Sequence, residues 1–454
     1  DCPSQSEVAR WRAVIRDALL RQHHFWYTHT MTSKEILGTE PYKGVHDYYP
    51  EDWAVVSSIF DTMRDTLCSY GFQEYQASPL ERAELYESKT SEEIVSQQTY
   101  TFTDRGDRRV TLRPEMTPTL ARMIAGKRHE LVFPARWFSI GNRFRYERPQ
   151  KGRSREFYQV DVDIVGVSGS TAESEIVVVA TDLLRGFGAK DADFLIRVNS
   201  RTLVNAAGSA LGLSSEETTT YLSLIDRKSK ISAETFETER EAFRRQGQDP
   251  LELILARTDA ATDAEYAKIL DLIEGWKALG ITNIVFDPTI ARGFLYYTGL
   301  IFEIFDTNPE NPRALLGGGR YDGLVALFGG APIPAVGFAL GVETLTDFLV
   351  THGRLPHVNT APVLFIGTPT EADIPLAQAY AATLRSPALS VVVNLSSKGL
   401  GDQVKEAVKR GIPYFVAYGQ NEKESASVKV KTLAESTEEE VASNILFQHL
   451  ITKK

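Results

Sequence analysis

The sequence is poor in cysteine, with Cys2 and Cys68 as the two thiols in 454 residues. Two isolated thiols provide neither a disulfide framework nor a metal cluster, which fits a reducing, cytoplasmic compartment. The eight histidines lack the HExxH or Cys/His spacing of metal sites, so we expect no protein-bound metal. No apolar run approaches the roughly 20 residues that a membrane-spanning helix needs, so we expect no membrane partner.

An excess of positive charge is also missing. The chain has 50 Lys and Arg against 60 Asp and Glu, which gives a net charge of −10 at pH 7. This balance argues against histone-like or coating proteins, although a local basic patch on an acidic body would still bind nucleic acid. The length and the 43% hydrophobic content suit a globular protein of two or three domains.

One stretch, 136–166, predicts two antiparallel strands joined by a basic loop, because apolar and polar residues alternate along it. The polar positions include Arg145 on the first strand and Gln159, Asp161 and Asp163 on the second. Pairing the strands gives one apolar face and one polar face. The polar face would either be solvated or bind a ligand, since arginine suits phosphate oxygens and carboxylates suit an ammonium group.

Part of this stretch, FRYERPQKGRSREFYQ at 144–159, resembles motif 2 of class II aminoacyl-tRNA synthetases, in the version found in histidyl-tRNA synthetases. The motif has few free positions, so the match is far more specific than a short glycine pattern. The resemblance implies an ATP site in which Arg145 stabilises the reacting phosphate. It assigns Phe157 to stacking on adenine, Glu147 to the adenine amine and Arg153 to the outer phosphates.

A second segment, RVTLRPE at 109–115, predicts a strand that leads directly into a helix. Thr117 is a good N-cap and Pro118 suits a first turn, so we expect a helix from Pro118 to about Ala125. A carboxylate and a hydroxyl at this junction would either cap the helix or bind an amino group. The segment resembles TLRPEGT of the same family, with Met116 in place of the glycine, and the resemblance assigns Glu115 and Thr117 to the α-amino group of histidine.

The segment RGFLYYTG begins at Arg292 and resembles the histidine-specific motif RGLDYYTG. On the residues alone, a hairpin with two core tyrosines is the simpler interpretation. The resemblance implies that Arg292 acts on the α-phosphate and the substrate carboxylate, and that Tyr296 and Tyr297 line the pocket. Leu295 stands where the family has Asp, so any polar contact of that Asp is lost.

Two glycine-containing segments follow. Residues 317–323, GGGRYDG, allow close approach of the backbone to a ligand, although three glycines alone are more often a turn. They resemble a family motif whose tyrosine, Tyr321 here, lines the imidazole pocket. Residues 334–345 predict a strand and a helix, with Gly337 small enough to lie under a base, and resemble motif 3. Thr344 replaces the arginine that contacts ATP in the family.

Three regions surround these motifs. The role of the extension 1–40 is left open, and 41–350 would form the catalytic domain. Within it, a predicted helix over 52–70 and strand over 72–77 resemble motif 1, which implies a homodimer. Residues from about 198 to 280 are rich in helix formers and match the family's helical insertion.

Beyond a linker, 361–454 alternates predicted strands and helices, which indicates a mostly parallel sheet in a separate α/β domain. Such a domain would be a nucleotide-binding, regulatory or RNA-binding module. No glycine phosphate loop precedes its helices, and it resembles the anticodon-binding domain of synthetases. The resemblance also implies that Gln150 and Lys151, in the basic loop, contact tRNA.

These features predict an α+β protein: a class II synthetase-like antiparallel sheet flanked by helices, a helical insertion and a C-terminal anticodon-binding-like domain. The implied reaction joins histidine to ATP and then to the 3′ end of tRNA(His), with Mg²⁺ arriving on ATP. Gln159, Asp163 and Glu115 would hold the ammonium and imidazole groups. Two alternatives are a regulatory paralogue, like the synthetase-related subunit of ATP phosphoribosyltransferase, and an RNA-binding or sensing module.

Overall fold

The computed structural model describes residues 38–87, 98–228, 231–291 and 296–453. Residues 48–453 belong to one compact unit. Two predictions lie outside the described residues: the role of Arg292 and the effect of Leu295. Most of the extension 1–40 lies outside them as well.

This unit contains both strands and helices. The strands are β1 (Gln73–Glu74), β2 (Leu80–Arg82), β3 (Tyr100–Thr103), β4 (Arg109–Leu112), β5 (Ala135–Phe144), β6 (Glu156–Val165), β7 (Phe194–Ser200), β8 (Ile284–Phe286), β9 (Leu300–Asp306), β10 (Ala314–Arg320), β11 (Ala335–Gly341), β12 (Leu364–Gly367), β13 (Val391–Val393), β14 (Tyr414–Ala417), β15 (Ser427–Thr432) and β16 (Thr437–Ala442). The helices are α1 (Pro50–Ser69), α2 (Glu84–Glu87), α3 (Thr117–Lys127), α4 (Ser170–Gly186), α5 (Arg201–Ala210), α6 (Ser215–Arg227), α7 (Ala233–Glu241), α8 (Pro250–Ala256), α9 (Ala260–Ala278), α10 (Val342–Thr351), α11 (Ile374–Leu384), α12 (Leu400–Lys409), α13 (Gln420–Ser425) and α14 (Leu446–Thr452).

An eight-stranded sheet in the order β1-β5-β6-β11-β10-β9-β7-β8 organises residues 73–341. Its six central strands are antiparallel neighbours, and the short edge strands β1 and β8 pair in parallel. A smaller sheet, β2-β4-β3, lies earlier in the chain. The predicted hairpin is β5 and β6, which pair over ten residues with Ala135 opposite Val165.

Helices α1, α4 and α10 cover one face of the large sheet. Apolar side chains of β6, such as Val160 and Val162, are fully buried on this face against Ile59 of α1 and Ile176 of α4. Burying one such aliphatic side chain stabilises the fold by about 1.5–3 kcal/mol. Because side chains alternate along a strand, the polar residues of β6 lie on the opposite face, which the three helices leave open.

The predicted helical insertion, about 198–280, contains helices α5 to α9. Residues 198–200 form the end of β7, so the helices begin at Arg201. After α9 the chain returns to the same sheet as β8, where Ile284 lies opposite Ile196 of β7. The insertion is therefore joined to the sheet at both ends.

Two local predictions differ from the structure. Helix α3 begins at Thr117, with Met116 as the N-cap and no side-chain cap bond, so the predicted N-cap at Thr117 is wrong. The Thr117 side chain is hydrogen-bonded to Tyr296 instead, which explains why it does not cap the helix. The predicted strand over 72–77 is reduced to Gln73–Glu74, which pair with β5.

The C-terminal domain has a five-stranded sheet in the order β13-β12-β14-β15-β16. Strands β13, β12 and β14 are parallel, as their connecting helices require, whereas β14, β15 and β16 are antiparallel. The sheet is therefore mixed, and the prediction of a mostly parallel sheet is wrong. The prediction missed β16 and its antiparallel hairpin with β15. No helix among the described residues is long and apolar enough to cross a membrane.

Candidate active site

A cavity of about 460 Å³ opens on the polar face of the large sheet. It is lined by side chains that the sequence predicted as site residues: Glu115, Thr117, Arg145, Glu147, Arg153, Phe157, Gln159, Asp163, Tyr296, Tyr297 and Tyr321. They come from segments that are far apart in the chain, so the fold brings the separate motifs together.

In the wall of the cavity, glycines lie beside the polar residues. Asp163 of β6 lies opposite Gly337 of β11, and Gln159 lies opposite Gly341. Gly317 of β10 continues the same lining. A Cβ atom at Gly337 would overlap Asp163 Oδ1, so glycine is required for this carboxylate to occupy its place. The sequence suggested that Gly337 and Gly341 lie under a base, and this stays a prediction.

One end of the cavity carries arginine and aromatic side chains. Arg145 Nε donates to the carbonyl oxygen of Pro114 at 3.0 Å, and Arg145 Cζ lies 5.3 Å from the ring centroid of Phe157. Burial lowers the pKa of Arg145, and Glu147 and Glu115 act in the opposite direction. Arg153 Nη1 forms a salt bridge of 2.8 Å with Glu147 Oε2. This end therefore offers guanidinium groups for an anion.

Two buried arginines and a carboxylate that were given no role in the sequence support this polar face. Arg143 is fully buried, and its Nη2 lies 2.6 Å from Asp161 Oδ2. Asp161 Oδ1 also accepts from Gln159 Nε2 at 2.9 Å, so one carboxylate fixes both neighbours. Arg113 donates to the carbonyl oxygens of Asn142 and Ala77, and burial lowers its pKa to about 10. The alternation placed Asp161 on this face; it did not reveal that Asp161 holds Gln159.

The opposite end of the cavity is buried and rich in hydrogen bonds. The Tyr321 hydroxyl donates to Asp163 Oδ1. Burial raises the pKa of Asp163 to about 8, the hydrogen bond from Tyr321 opposes this shift, and Asp161 adds to it. A carboxyl group with this pKa exchanges its proton near neutral pH and can donate to or accept from a ring nitrogen.

Glu115 lies at the same end, between tyrosines. The Tyr296 hydroxyl donates to Glu115 Oε2 at 2.9 Å, and Glu115 is 3% exposed. The ring centroids of Tyr296 and Tyr297 are 5.0 Å apart, and those of Tyr296 and Tyr321 are 5.9 Å apart. A buried carboxylate surrounded by aromatic rings suits a small cationic group.

The family model described as histidyl-tRNA synthetase matches residues 44–345, and the model described as anticodon binding domain matches residues 361–452. The first model alone covers well over half of the chain. The chain belongs to the histidyl-tRNA synthetase family. The predicted family and fold class are thereby confirmed.

Individual proteins agree with the family models. A histidine–tRNA ligase of Leptospira biflexa serovar Patoc is 39% identical over 413 residues, which cover 88% of this chain and 94% of that protein. The crystal structure of histidyl-tRNA synthetase from Nostoc sp. PCC 7120 has a TM-score of 0.71 at 25% identity and covers 92% of this chain and all of that one. A Bacillus halodurans structure titled ATP phosphoribosyltransferase regulatory subunit/histidyl-tRNA synthetase shares the fold, with a TM-score of 0.66 at 21% identity over 82% of this chain and 97% of that one.

A second cavity of about 380 Å³ adjoins the first in this member of the histidyl-tRNA synthetase family. Gln150 and Lys151 line this cavity and not the first, and Lys151 Nζ lies 3.2 Å from Asn311 Oδ1. The two cavities share Thr344 and Arg313 in their walls. The predicted tRNA-binding residues therefore lie apart from the residues predicted to bind histidine.

The Thr344 side chain is bonded to the main chain. Thr344 Oγ1 donates to the carbonyl oxygens of Gly341 at 3.0 Å and Leu315 at 3.2 Å. Arg313, just before the glycine segment, lies in the wall nearby and was missed in the sequence. Its only signal there is that it is an arginine next to a segment predicted to contact the ligand.

Proposed function

We propose that this chain activates histidine with ATP, giving histidyl-adenylate and pyrophosphate, and then transfers histidine to the 3′ end of tRNA(His). Membership of the family supports the reaction class. The single observation that carries the proposal for this chain is the cavity, which combines an arginine-rich end with a buried end built from Glu115, Gln159 and Asp163.

The first step needs a histidine carboxylate oxygen to attack the α-phosphorus of ATP while pyrophosphate leaves. Holding both substrates in one cavity makes this attack effectively intramolecular. Arg145 Nε is held by Pro114, and the Nη groups of Arg145 form no hydrogen bond with the described residues. Those groups would donate to the phosphate oxygens, where negative charge develops.

Histidine recognition falls to the buried end. Glu115, with Thr117 nearby, would bind the α-ammonium group. Asp163 would bind an imidazole nitrogen, with its position fixed by Tyr321. Gln159, held by Asp161, would bind at the same end. Arg292 remains part of the proposal as a ligand of the α-phosphate and the carboxylate.

ATP would bring Mg²⁺ with it. Among the described residues, no group of three or more His, Cys, Asp or Glu side chains could hold a metal ion. Glu303 and Glu343 line the cavity, and Mg²⁺ on phosphates needs only one or two carboxylates from a protein. These two residues therefore suit a metal that arrives as part of the substrate.

In the second step, the terminal ribose hydroxyl of tRNA attacks the adenylate carbonyl carbon, an ester forms and AMP leaves. The C-terminal domain, matched by the anticodon-binding model, would hold the anticodon end of tRNA. Gln150 and Lys151, in their separate cavity, would contact its other end. We place the reaction in the cytoplasm, where the exposed Cys68 would stay reduced.

Histidine-dependent exchange of radioactive pyrophosphate into ATP tests the proposal. We expect exchange with histidine and none above background with other amino acids, followed by charging of tRNA(His). No exchange at millimolar ATP and saturating Mg²⁺ would contradict the proposal and favour a regulatory paralogue. Binding of histidine without exchange would contradict the proposal in the same way.

The proposal includes a two-fold symmetric homodimer. The resemblance of the α1–β1 region to motif 1 supports it, and so do exposed aromatic side chains at the start of α1: Tyr49 is 69% exposed and Trp53 is 40% exposed. We expect sedimentation equilibrium to give twice the chain mass at micromolar concentration. A monomer under those conditions would contradict the dimer and leave the chemistry untouched.

A further inference from the structure

Arg313 differs from the other arginines around the cavity. Arg143 is bound by Asp161, Arg153 by Glu147, and Arg145 by the Pro114 carbonyl. Arg313 forms no hydrogen bond or salt bridge with any residue that the structure describes, and its Nη1 atom is buried. Arg313 as a whole is half-buried, but leaving one of its guanidinium nitrogens shielded from water without a partner is costly, so we expect a ligand to supply the acceptor.

Arg313 lies next to Thr344, the position at which the resemblance to motif 3 implies an arginine. A Cβ atom at Gly152 would lie 3.5 Å from Thr344 Cγ2 and 3.8 Å from Arg313 Cδ, so both side chains flank the same glycine. Gly152 has a φ of +68°, in the left-handed region that favours glycine. The motif 2 loop therefore passes directly over the pair formed by Thr344 and Arg313.

Charged groups of both signs surround Arg313, and one of them is a second guanidinium. Burial lowers its pKa, the neighbouring positive charge of Arg153 lowers it further, and Glu147 and Asp347 act in the opposite direction. Two guanidinium groups placed close together repel each other unless an anion lies between them. Arg153 is the residue that the motif 2 resemblance assigns to the outer phosphates.

We propose that Arg313 binds the outer phosphates of ATP, and so replaces the arginine that the family has at the position of Thr344. This inference rests on the proposed function, because Arg313 would bind the part of ATP that leaves as pyrophosphate. Arg313 reaches the site from the residue just before β10, whereas the family's arginine would come from α10. A guanidinium group from a different part of the fold would therefore bind the same outer phosphates.

Titration calorimetry of Arg313→Ala with four ligands provides the test. Removing one charge-assisted contact should weaken MgATP and MgPPi binding about 10- to 150-fold. AMP lacks the outer phosphates, so its affinity should change less than about twofold, and histidine affinity should be kept. A merely structural role of Arg313 would weaken all these ligands together.

Two further variants and a control sharpen the test. Arg313→Ala combined with Thr344→Arg returns a guanidinium to the family's position and should recover most of the lost ATP affinity. Arg313→Lys keeps the charge without the fork and should lose less than the alanine variant. The control is Arg410→Ala in the C-terminal domain, whose removed side chain forms an ion pair with Glu406 at 3.5 Å.

The inference and the proposed function fail in different ways. Unchanged MgATP affinity in folded Arg313→Ala, or equal losses for ATP and AMP, would overturn the inference even if wild-type exchange is normal. Absence of histidine-dependent exchange in the wild type would contradict the proposed function. A selective loss of MgATP binding in Arg313→Ala would still support the inference in that case.

Discussion

The two ends of the cavity are built differently. At the end proposed to bind histidine, the polar groups already bind one another: Tyr321 to Asp163, Tyr296 to Glu115 and Gln159 to Asp161. At the end proposed to bind ATP, Arg145 and Arg313 have guanidinium nitrogens that form no hydrogen bond with the described residues. Selection of an amino acid requires donors and acceptors fixed in advance, whereas binding of a polyanion requires an excess of positive charge.

The largest expected effect concerns the histidine end. An apolar amino acid of similar size would displace water from the buried Asp163 and Gln159 without forming hydrogen bonds to their remaining donors and acceptors, which should cost roughly 10⁴-fold or more in kcat/KM for adenylation. Pyrophosphate exchange with histidine and with leucine measures this ratio. The variant Asp163→Ala should narrow the ratio and raise KM for histidine far more than KM for ATP. Equal rises in both KM values would mean that Asp163 does not read the amino acid.

The next effect concerns the ATP end. Arg145→Ala removes donors from the phosphate oxygens, and we expect the adenylation rate to fall by about 10²- to 10³-fold. Single-turnover formation of histidyl-adenylate measures this rate directly. Arg105→Ala, at an exposed position in the loop between β3 and β4, is the matched control and should leave the rate unchanged. A normal rate in folded Arg145→Ala would remove Arg145 from the chemistry.

The pH dependence of stability tests, without any ligand, whether the Asp163 carboxyl group has a raised pKa. The pKa of Asp163 is about 8 in the folded protein, against about 4 for an unfolded chain. Between these values the folded state binds a proton that the unfolded state has released, so Asp163 lowers stability as pH rises, by at most about 1.4 kcal/mol per pH unit. Asp163→Asn has no such proton and keeps an acceptor for Tyr321.

The melting temperature of Asp163→Asn, relative to wild type, should therefore increase from pH 5 to pH 8. Asp161 and Tyr321 face the same carboxyl group, and Arg143 opposes the shift. Differential scanning fluorimetry at several pH values measures the difference. A difference that stays constant over this range would show that Asp163 titrates normally.

The smallest effect is expected from Thr344→Arg. If Arg313 already serves the outer phosphates, a further guanidinium should change KM for ATP by less than about tenfold. If the ATP end instead lacks a cation, Thr344→Arg should lower KM for ATP by roughly 10- to 150-fold. Steady-state pyrophosphate exchange at varied ATP separates these results.

The sequence predicted most of the fold where local patterns determine it. Period-two alternation located β5, β6 and their polar face, and the motifs named eleven residues that line one cavity. Prediction from the sequence failed where contacts between residues far apart in the chain determine the partner of a side chain. Thr117 was predicted as an N-cap, but Tyr296, 179 positions later, takes its side chain.

The sequence also could not distinguish arginines that bind within the protein from those that remain available. The alternation places Arg143 and Arg145 on one face. In the structure, Arg143 forms a salt bridge with Asp161, whereas Arg145 lines the cavity. Arg313 carried no motif, and its importance depends on the packing of Thr344 and Gly152 beside it. Such pairings are set by tertiary structure and leave no local pattern.

The edges of the large sheet have a consequence for the solubility of the folded protein at high concentration. The outermost strands are only two and three residues long, at Gln73–Glu74 and Ile284–Phe286. Short edge strands present few unpaired N–H and C=O groups to another molecule. The completed sheet thus offers little template for strand pairing with another molecule, so its edges resist growing into an aggregate.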